Sequence, residues 1–304
     1  MRAIFEKTLR NMFKPIIISI YFIILILITI LMYMGSKEDN SLLVTIPSQI
    51  ESIKTVYSLF VFMYLGGIAV IIMMMIFGLD IFATEEYEGT MKILVAKPVS
   101  RSSIVFGKII GLLIGSLIYF ISSLVVSVTI FLLFNNLDKD VFIGLLKLFP
   151  NFIIYGMFMI LIFSSIMSFL SSLFRKKVPS IIITVLLVLG IFGVLPILRQ
   201  ITLNRNNYFS SKLYYIDINS QFGNIYMSLI EQGNESNELY DQTIAMYTGR
   251  YVNSDYDPDL ENESYISLKK NDIYNIPILV GSYLIFSFGL FYLSYRRMIN
   301  KDIT

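Results

Sequence analysis

The chain has 304 residues, of which 56% are hydrophobic and 15% charged, with 24 basic and 22 acidic residues, and its mean hydropathy is +0.71. This balance belongs to a polytopic membrane protein and gives no argument for nucleic acid as a partner. With no Cys and no His, disulfides, thiolate chemistry, imidazole catalysis and the usual zinc ligands are excluded together.

Residues 1–14 read as an amphipathic helix. Phe5, Leu9 and Met12/Phe13 recur at helical spacing while Lys7, Arg10 and Lys14 form a separate stripe, so the helix is expected at the inner membrane surface. Six apolar stretches follow, each of the roughly 20 residues a helix needs to cross a hydrocarbon core: Pro15 to Met34, Val56 to Phe82, Ile104 to Phe134, Leu148 to Phe174, Val178 to Leu198 and Ile276 to Tyr295. The first follows basic residues as a signal peptide would, but Met34-Gly35-Ser36 is a poor cleavage site and the stretch is read as a span. The third is long enough to tilt or to project beyond the lipid. Pro15, Pro179 and Pro277 fall in first turns, where the missing N–H breaks no intrahelical bond. The fold expected is therefore an all-α polytopic membrane protein with six transmembrane helices, an amphipathic interfacial N-terminal helix and a partly helical segment between helices five and six.

With both termini placed in the cytoplasm, fourteen of the 24 basic residues and only six of the 22 acidic ones face inward. Arg175-Lys176-Lys177 in a tight connection and Arg296-Arg297 after the last span are the strongest positive-inside signals. The organisation expected is residues 1–14 as the interfacial helix, 15–198 as helices one to five with an inward loop at 83–103, 199–275 as an extracytoplasmic region, and 276–304 as helix six with a cytoplasmic tail.

In the extracytoplasmic region, Phe222, Ile225/Tyr226 and Leu229 fit one helical face, and Tyr240, Ile244, Tyr247 and Tyr251 another. A lid over the outer mouth is expected. The acidic tract from Asn253 to Ser264 lacks the calcium loop pattern, since Pro258 and Leu260 stand where that loop needs flexibility, and it reads as solvated.

The chain shows no chemistry of its own. Gly107-Lys108 is followed by Ile109 and lacks the upstream Gly of a phosphate-binding loop, so ATP hydrolysis is not expected here. Intramembrane proteolysis would need a His or two membrane Asp residues, and Asp80 is the lone acid near a span interior. Gly107, Gly111 and Gly115 in the third span, and Ser164, Ser165, Ser168, Ser171 and Ser172 in the fourth, permit close helix approach, with lining of a pathway as the alternative. Phe and Tyr in the spans are expected to be mostly lipid-facing or interfacial.

Charge gathers in the inward loop. Glu85, Glu86 and Glu88 lead into Gly89-Thr90-Met91, the apolar Ile93 and Leu94, and then Lys97, Pro98 and Arg101. Thr90 can cap a short helix that Lys97-Pro98 ends, and Ser100 can cap the third span. The pattern E-x-G-T-x-x-x-L-x-x-K-P-V-S-R, followed by Gly107-Lys108 and a new span, resembles that of the type-2 ATP-binding-cassette exporter permeases, and the six spans and amphipathic start extend the resemblance over the whole chain. That resemblance implies a membrane subunit of an ATP-driven exporter in which the loop is the coupling helix. It implies a separate nucleotide-binding ATPase subunit as partner, carrying ATP and Mg, and a second permease copy or a paralogue beside the chain in membrane lipid. It also implies a secondary cytoplasmic contact at Arg175, Lys176 and Lys177. Few charges in the spans suit an amphipathic or hydrophobic cargo such as a peptide, an antimicrobial or a lipid-like compound. A non-transporting sensor or assembly scaffold with an extracytoplasmic ligand-binding domain is the other class open. Ile, Asn and Lys usage fits the cell membrane of a low-GC Gram-positive bacterium.

Overall fold

Among the described residues, six helices are long and apolar enough to cross a membrane: Pro15–Met34, Ile53–Ala83, Arg101–Phe134, Phe142–Leu173, Lys177–Leu203 and Ile276–Asn300, numbered here as spans one to six. The computed structural model describes residues 1–40, 46–84, 100–135, 139–174, 176–204, 207–231, 247–253, 268–270 and 273–300. Span one and the start of span six coincide with the stretches read from hydropathy. Span four belongs to a helix that begins at Lys139, well before the expected Leu148, and carries Pro150 inside it. Its early turns are amphipathic, with Leu145 and Leu148 buried and Lys147 and Pro150 exposed, so the helix continues past the purely apolar stretch. Span three lies within a helix of 35 residues, roughly 52 Å at 1.5 Å per residue, which outruns a hydrocarbon core of about 30 Å.

Spans two and four form the centre. About two thirds of each apolar window is buried, against 17% for spans one and five and 6% for span six, so the latter three present most of their surface outward. The aromatic residues depart from the lipid-facing expectation: Tyr57, Phe60, Phe62, Phe82, Phe120, Phe131, Phe152, Tyr155 and Phe163 are all buried. Hydropathy marks a residue as able to face lipid, whereas helix-to-helix packing decides which rings point inward.

Span two is a helix interrupted by a π-helical run, Val61–Ala69, and a second π-run, Leu189–Val194, lies in span five. The two face each other. A Cβ on Gly67 would stand 2.5 Å from the Phe192 ring and one on Gly66 2.7 Å from the Tyr155 ring, while Phe62 and Phe192 meet edge to face at 6.3 Å. Single π-turns of this kind concentrate at functional positions in helices.

The N-terminal helix, Arg2–Met12, exposes Arg2, Lys7 and Arg10; of its expected apolar face Met12 is buried while Phe5, Leu9 and the following Phe13 are half-buried, and the most deeply packed residue besides Met12 is Ile4. It is docked on span three and runs parallel to it. Span one continues the same track: Tyr21 and Ser123 hydroxyls share a hydrogen bond of 2.8 Å, and Tyr33 donates to the Phe134 carbonyl at 2.7 Å.

Between spans five and six lies a helix, Ile218–Glu231, termed here the lid helix. Phe222, Ile225 and Tyr226 are buried as the helical face predicts, with Leu229 half-buried beside them. Tyr251 does not continue a second helix. It opens a strand, Tyr251–Asn253, paired antiparallel with Leu268–Lys270 so that Tyr251 faces Lys270. Tyr240, Ile244 and most of the acidic tract lie outside the described residues.

Candidate functional site

The chain crosses from span two to span three through residues 85–99, and the site is the pair of roots from which that connection leaves the bundle. The coupling candidates Glu85, Glu86, Glu88, Gly89, Thr90, Met91, Ile93, Leu94, Lys97 and Pro98 lie outside the described residues, as does Arg175. The roots themselves are described. Span two ends in a π-turn, Asp80–Thr84, where the widened turn leaves backbone groups without their ordinary partners.

Side chains of the neighbouring spans supply those partners. The Ser171 hydroxyl in span four accepts from the Phe82 N–H at 3.1 Å and the Ala83 N–H at 3.0 Å and donates to the Leu79 carbonyl at 2.9 Å. The Lys108 ammonium in span three donates to the Ile81 carbonyl at 2.5 Å and sits 5.4 Å from the Phe82 ring centroid. Lys108 is only 4% exposed, so its charge is held by the carbonyl and the ring face rather than by bulk water.

The second root is tied to span six. Ser100 caps span three as its position predicts, accepting from the Ser103 N–H at 3.3 Å. Arg101 donates to the Ile299 carbonyl at 2.8 Å, and the hydroxyls of Ser102 and Tyr295 lie 3.2 Å apart. Both roots are therefore fastened to spans other than their own, the end of span two to spans three and four and the start of span three to span six.

The two rows of small residues are packing surfaces. Gly107, Gly111 and Gly115 receive the N-terminal helix: added Cβ atoms would stand 3.2 Å from the Met1 carbonyl oxygen, 2.9 Å from Thr8 and 2.6 Å from the Met12 sulfur. The spacing predicts a close approach but not that the partner is the N-terminal helix. Ser168 and Ser172 face span six, their carbonyls accepting from the Ser294 hydroxyl at 3.1 Å and the Arg297 Nε at 3.0 Å. Ser164 turns its hydroxyl onto the Leu161 carbonyl of its own helix at 3.0 Å. Lys176 is the extended residue before the helix that opens with Lys177. The Lys108 and Ser171 contacts were not legible as a root; the cue available was a lone Lys one turn inside an apolar span, which must find a buried partner.

At the opposite end of the bundle the lid helix sits among aromatic side chains. Tyr226 donates to the Ser58 carbonyl at 2.6 Å, its ring 5.3 Å from Phe62 and 4.8 Å from Tyr155, and Phe222 packs 5.1 Å from Tyr283. The helix is buried on its other face as well, by a polar knot at the end of span five. Arg199 donates to Asp217 at 2.9 Å, to Asn219 at 3.1 Å and to the Tyr247 carbonyl at 2.9 Å. Asp217 also accepts from Tyr208 at 2.9 Å and from the Ser220 N–H at 3.0 Å, so it caps the lid helix as well as pairing with Arg199. Arg250 forks onto Glu231 at 3.2 and 3.3 Å. The cue that points to this cap is the residue type alone, an Asp directly before an amphipathic helical stretch, which hydropathy and periodicity pass over.

Burial raises the Tyr274 phenol to about 12, and burial together with the Asp217 charge raises Tyr208 further. Because both folded values lie above the ordinary phenol value of 10.0, the stability these groups contribute is complete below that value and is lost as pH rises through the folded values. Titration of the intact protein followed by tyrosinate absorbance and near-ultraviolet circular dichroism will show late ionisation coinciding with loss of packing around the lid helix. Ionisation complete near pH 10 with packing intact would contradict the knot.

Six apolar helices among the described residues, two of them buried at the centre, with both roots of one connection tied to neighbouring helices, define a multi-pass membrane protein. The profile of the ABC-2 family transporter proteins matches residues 2–302, and the chain belongs to that family. It is a membrane permease subunit of an ABC transporter, the class that works with an ABC ATPase. No curated protein sequence matches the chain.

Proposed function

We propose that the chain is the permease of an ATP-driven exporter, that residues 85–101 are the element gripped by a cytoplasmic nucleotide-binding ATPase subunit, and that a second copy or a paralogue completes the pathway. Arg175, Lys176 and Lys177 provide a second contact with the same partner. ATP and Mg belong to that partner. The observation that carries this reading is the fastening of both roots: Ser171 and Lys108 hold the end of span two to spans four and three, and Arg101 holds the start of span three to span six. A push on the connection is thereby delivered to the central helices rather than absorbed by a loose turn.

ATP binding closes the ATPase dimer, the connection moves, and the bundle switches between inward and outward openings by as much as the partner's affinities for the two states differ. Few charges and many aliphatic, aromatic and hydroxyl side chains in the spans suit an amphipathic or hydrophobic cargo, with a peptide, an antimicrobial or a lipid-like compound as the classes to test. The cell membrane of a Gram-positive bacterium fits the composition.

The test is co-purification with the ATPase and measurement of its turnover with candidate cargo. Leu94→Ala removes the most apolar contact of the connection and is expected to weaken docking about ten-fold or more, from the ~1.5–3 kcal/mol of a buried Leu; Glu86→Gln is expected to slow association, with a loss that shrinks as salt is raised. Cargo-stimulated turnover that survives both substitutions would overturn the coupling role.

A further inference from the structure

Where spans four and six end, a groove of about 540 Å³ lies between them, lined by Phe169, Leu173, Leu293, Arg296, Arg297 and Asn300. Three of these side chains are apolar and belong to the last turns of lipid-length helices. Two are guanidinium groups one step further along. Arg297 is fixed in place by its 3.0 Å bond from Nε to the Ser172 carbonyl, which aligns its remaining N–H groups, and Arg296 is exposed. Leu293 is 46% exposed, an apolar wall one turn before the Arg pair near the end of span six.

We propose that this groove binds an anionic phospholipid, its phosphate held by Arg296 and the remaining N–H groups of Arg297 and one acyl chain laid along Phe169, Leu173 and Leu293. Charge and depth select this occupant. A guanidinium fork pairs with the phosphate diester of an anionic lipid unopposed, whereas in a zwitterionic lipid the same diester carries an ammonium of its own that repels the guanidinium. Basic side chains immediately beyond a span are where anionic headgroups gather. Asn300 adds an amide at the polar end of the groove, within reach of headgroup oxygens.

Because Arg101 is bonded to the Ile299 carbonyl, a headgroup on Arg296 and Arg297 lies two or three residues from the point where span six holds the root of residues 85–99. The lipid would brace that end of span six. The proposal goes beyond the export reading and does not rest on it.

The full chain, purified into nanodiscs or micelles containing phosphatidylglycerol and phosphatidylcholine, is examined by native mass spectrometry for retained lipid, with neither ATP nor ATPase present. Phosphatidylglycerol is expected to be retained over phosphatidylcholine, Arg296→Gln to reduce that retention about five-fold, and Arg296→Lys to keep most of it. Leu293→Asp, which places a carboxylate on the apolar wall three and four residues before Arg296 and Arg297, is expected to reduce it as well, by pairing with the guanidinium groups and repelling the phosphate. Arg10→Gln, on the exposed face of the N-terminal helix, should leave it unchanged. Equal retention of the two lipids, indifference to Arg296→Gln and Leu293→Asp, or displacement of the lipid by millimolar glycerol phosphate, which would mark a site for a soluble anion, would each overturn the proposal while leaving the export reading untouched. Occupation of the groove by a second copy, seen as a dimer lost on Arg296→Gln, would do the same.

Discussion

Asp217→Ala is expected to unfasten the lid helix from span five and to cost about 3–5 kcal/mol of stability, the range for stripping one partner from a buried ion pair. The side chains of Arg199 and Asp217 are 1% and 4% exposed, so the guanidinium left behind cannot be rehydrated without opening the fold. Two more groups lose their acceptor at the same time, the Tyr208 hydroxyl and the Ser220 N–H that Asp217 caps. Combining Arg199→Met with Asp217→Ala is expected to be milder than Asp217→Ala alone, because no unpaired charge is then buried. Chemical denaturation of the unmodified chain, the two single variants Asp217→Ala and Arg199→Met, and their combination in one detergent measures the coupling. Effects that simply add would show that the pair does not act as a unit.

Tyr226→Ala comes next in size. The side chain is fully buried, 1% exposed, and its ring is the piece of the lid helix that enters the bundle between Phe62, Phe152 and Tyr155. Truncation leaves a cavity where the lid helix meets spans two and four and is expected to cost about 3–5 kcal/mol. Tyr226→Phe keeps the ring and loses only the 2.6 Å bond to the Ser58 carbonyl, a loss of about 1 kcal/mol. Limited proteolysis between residues 207 and 253 reports the seating directly: faster cleavage in the Ala variant and nearly unchanged cleavage in the Phe variant are expected. Equal protection in both would show that the lid helix is held from its polar face alone.

These two cases mark how far hydropathy and periodicity reach. Apolar runs of lipid length announce themselves because the membrane demands them one by one, and Pro15 to Met34 is legible from its own residues. The face formed by Phe222, Ile225 and Tyr226 is legible for the same local reason. Hydropathy ends span five at Leu198, where Arg199 interrupts the apolar run, yet the helix carries on to Asn204. What neutralises Arg199 is a carboxylate 18 residues away across a turn, and no local pattern encodes that meeting. The glycine row in span three is similar: its spacing shows that something approaches closely, while the identity of the N-terminal helix as the visitor depends on the whole chain. At the candidate site, the resemblance to exporter permeases marks residues 85–101 and the Gly107-Lys108 that follows, but it gives no role to Lys108 as the grip on the end of span two and leaves out Ser171, which shares that grip from another span.

The π-run in span two carries a mechanical corollary. Each wide turn stores one surplus residue relative to a regular helix, and relocating that surplus by a turn slides and rotates the stretch it passes while the helix beyond it stays where it was. Gly66 and Gly67 present no side chain to snag on Tyr155 or Phe192 during such a passage. Span two can thus act as a screw thread as well as a strut, letting its Ala83 end turn against its Ile53 end without a break in the rod.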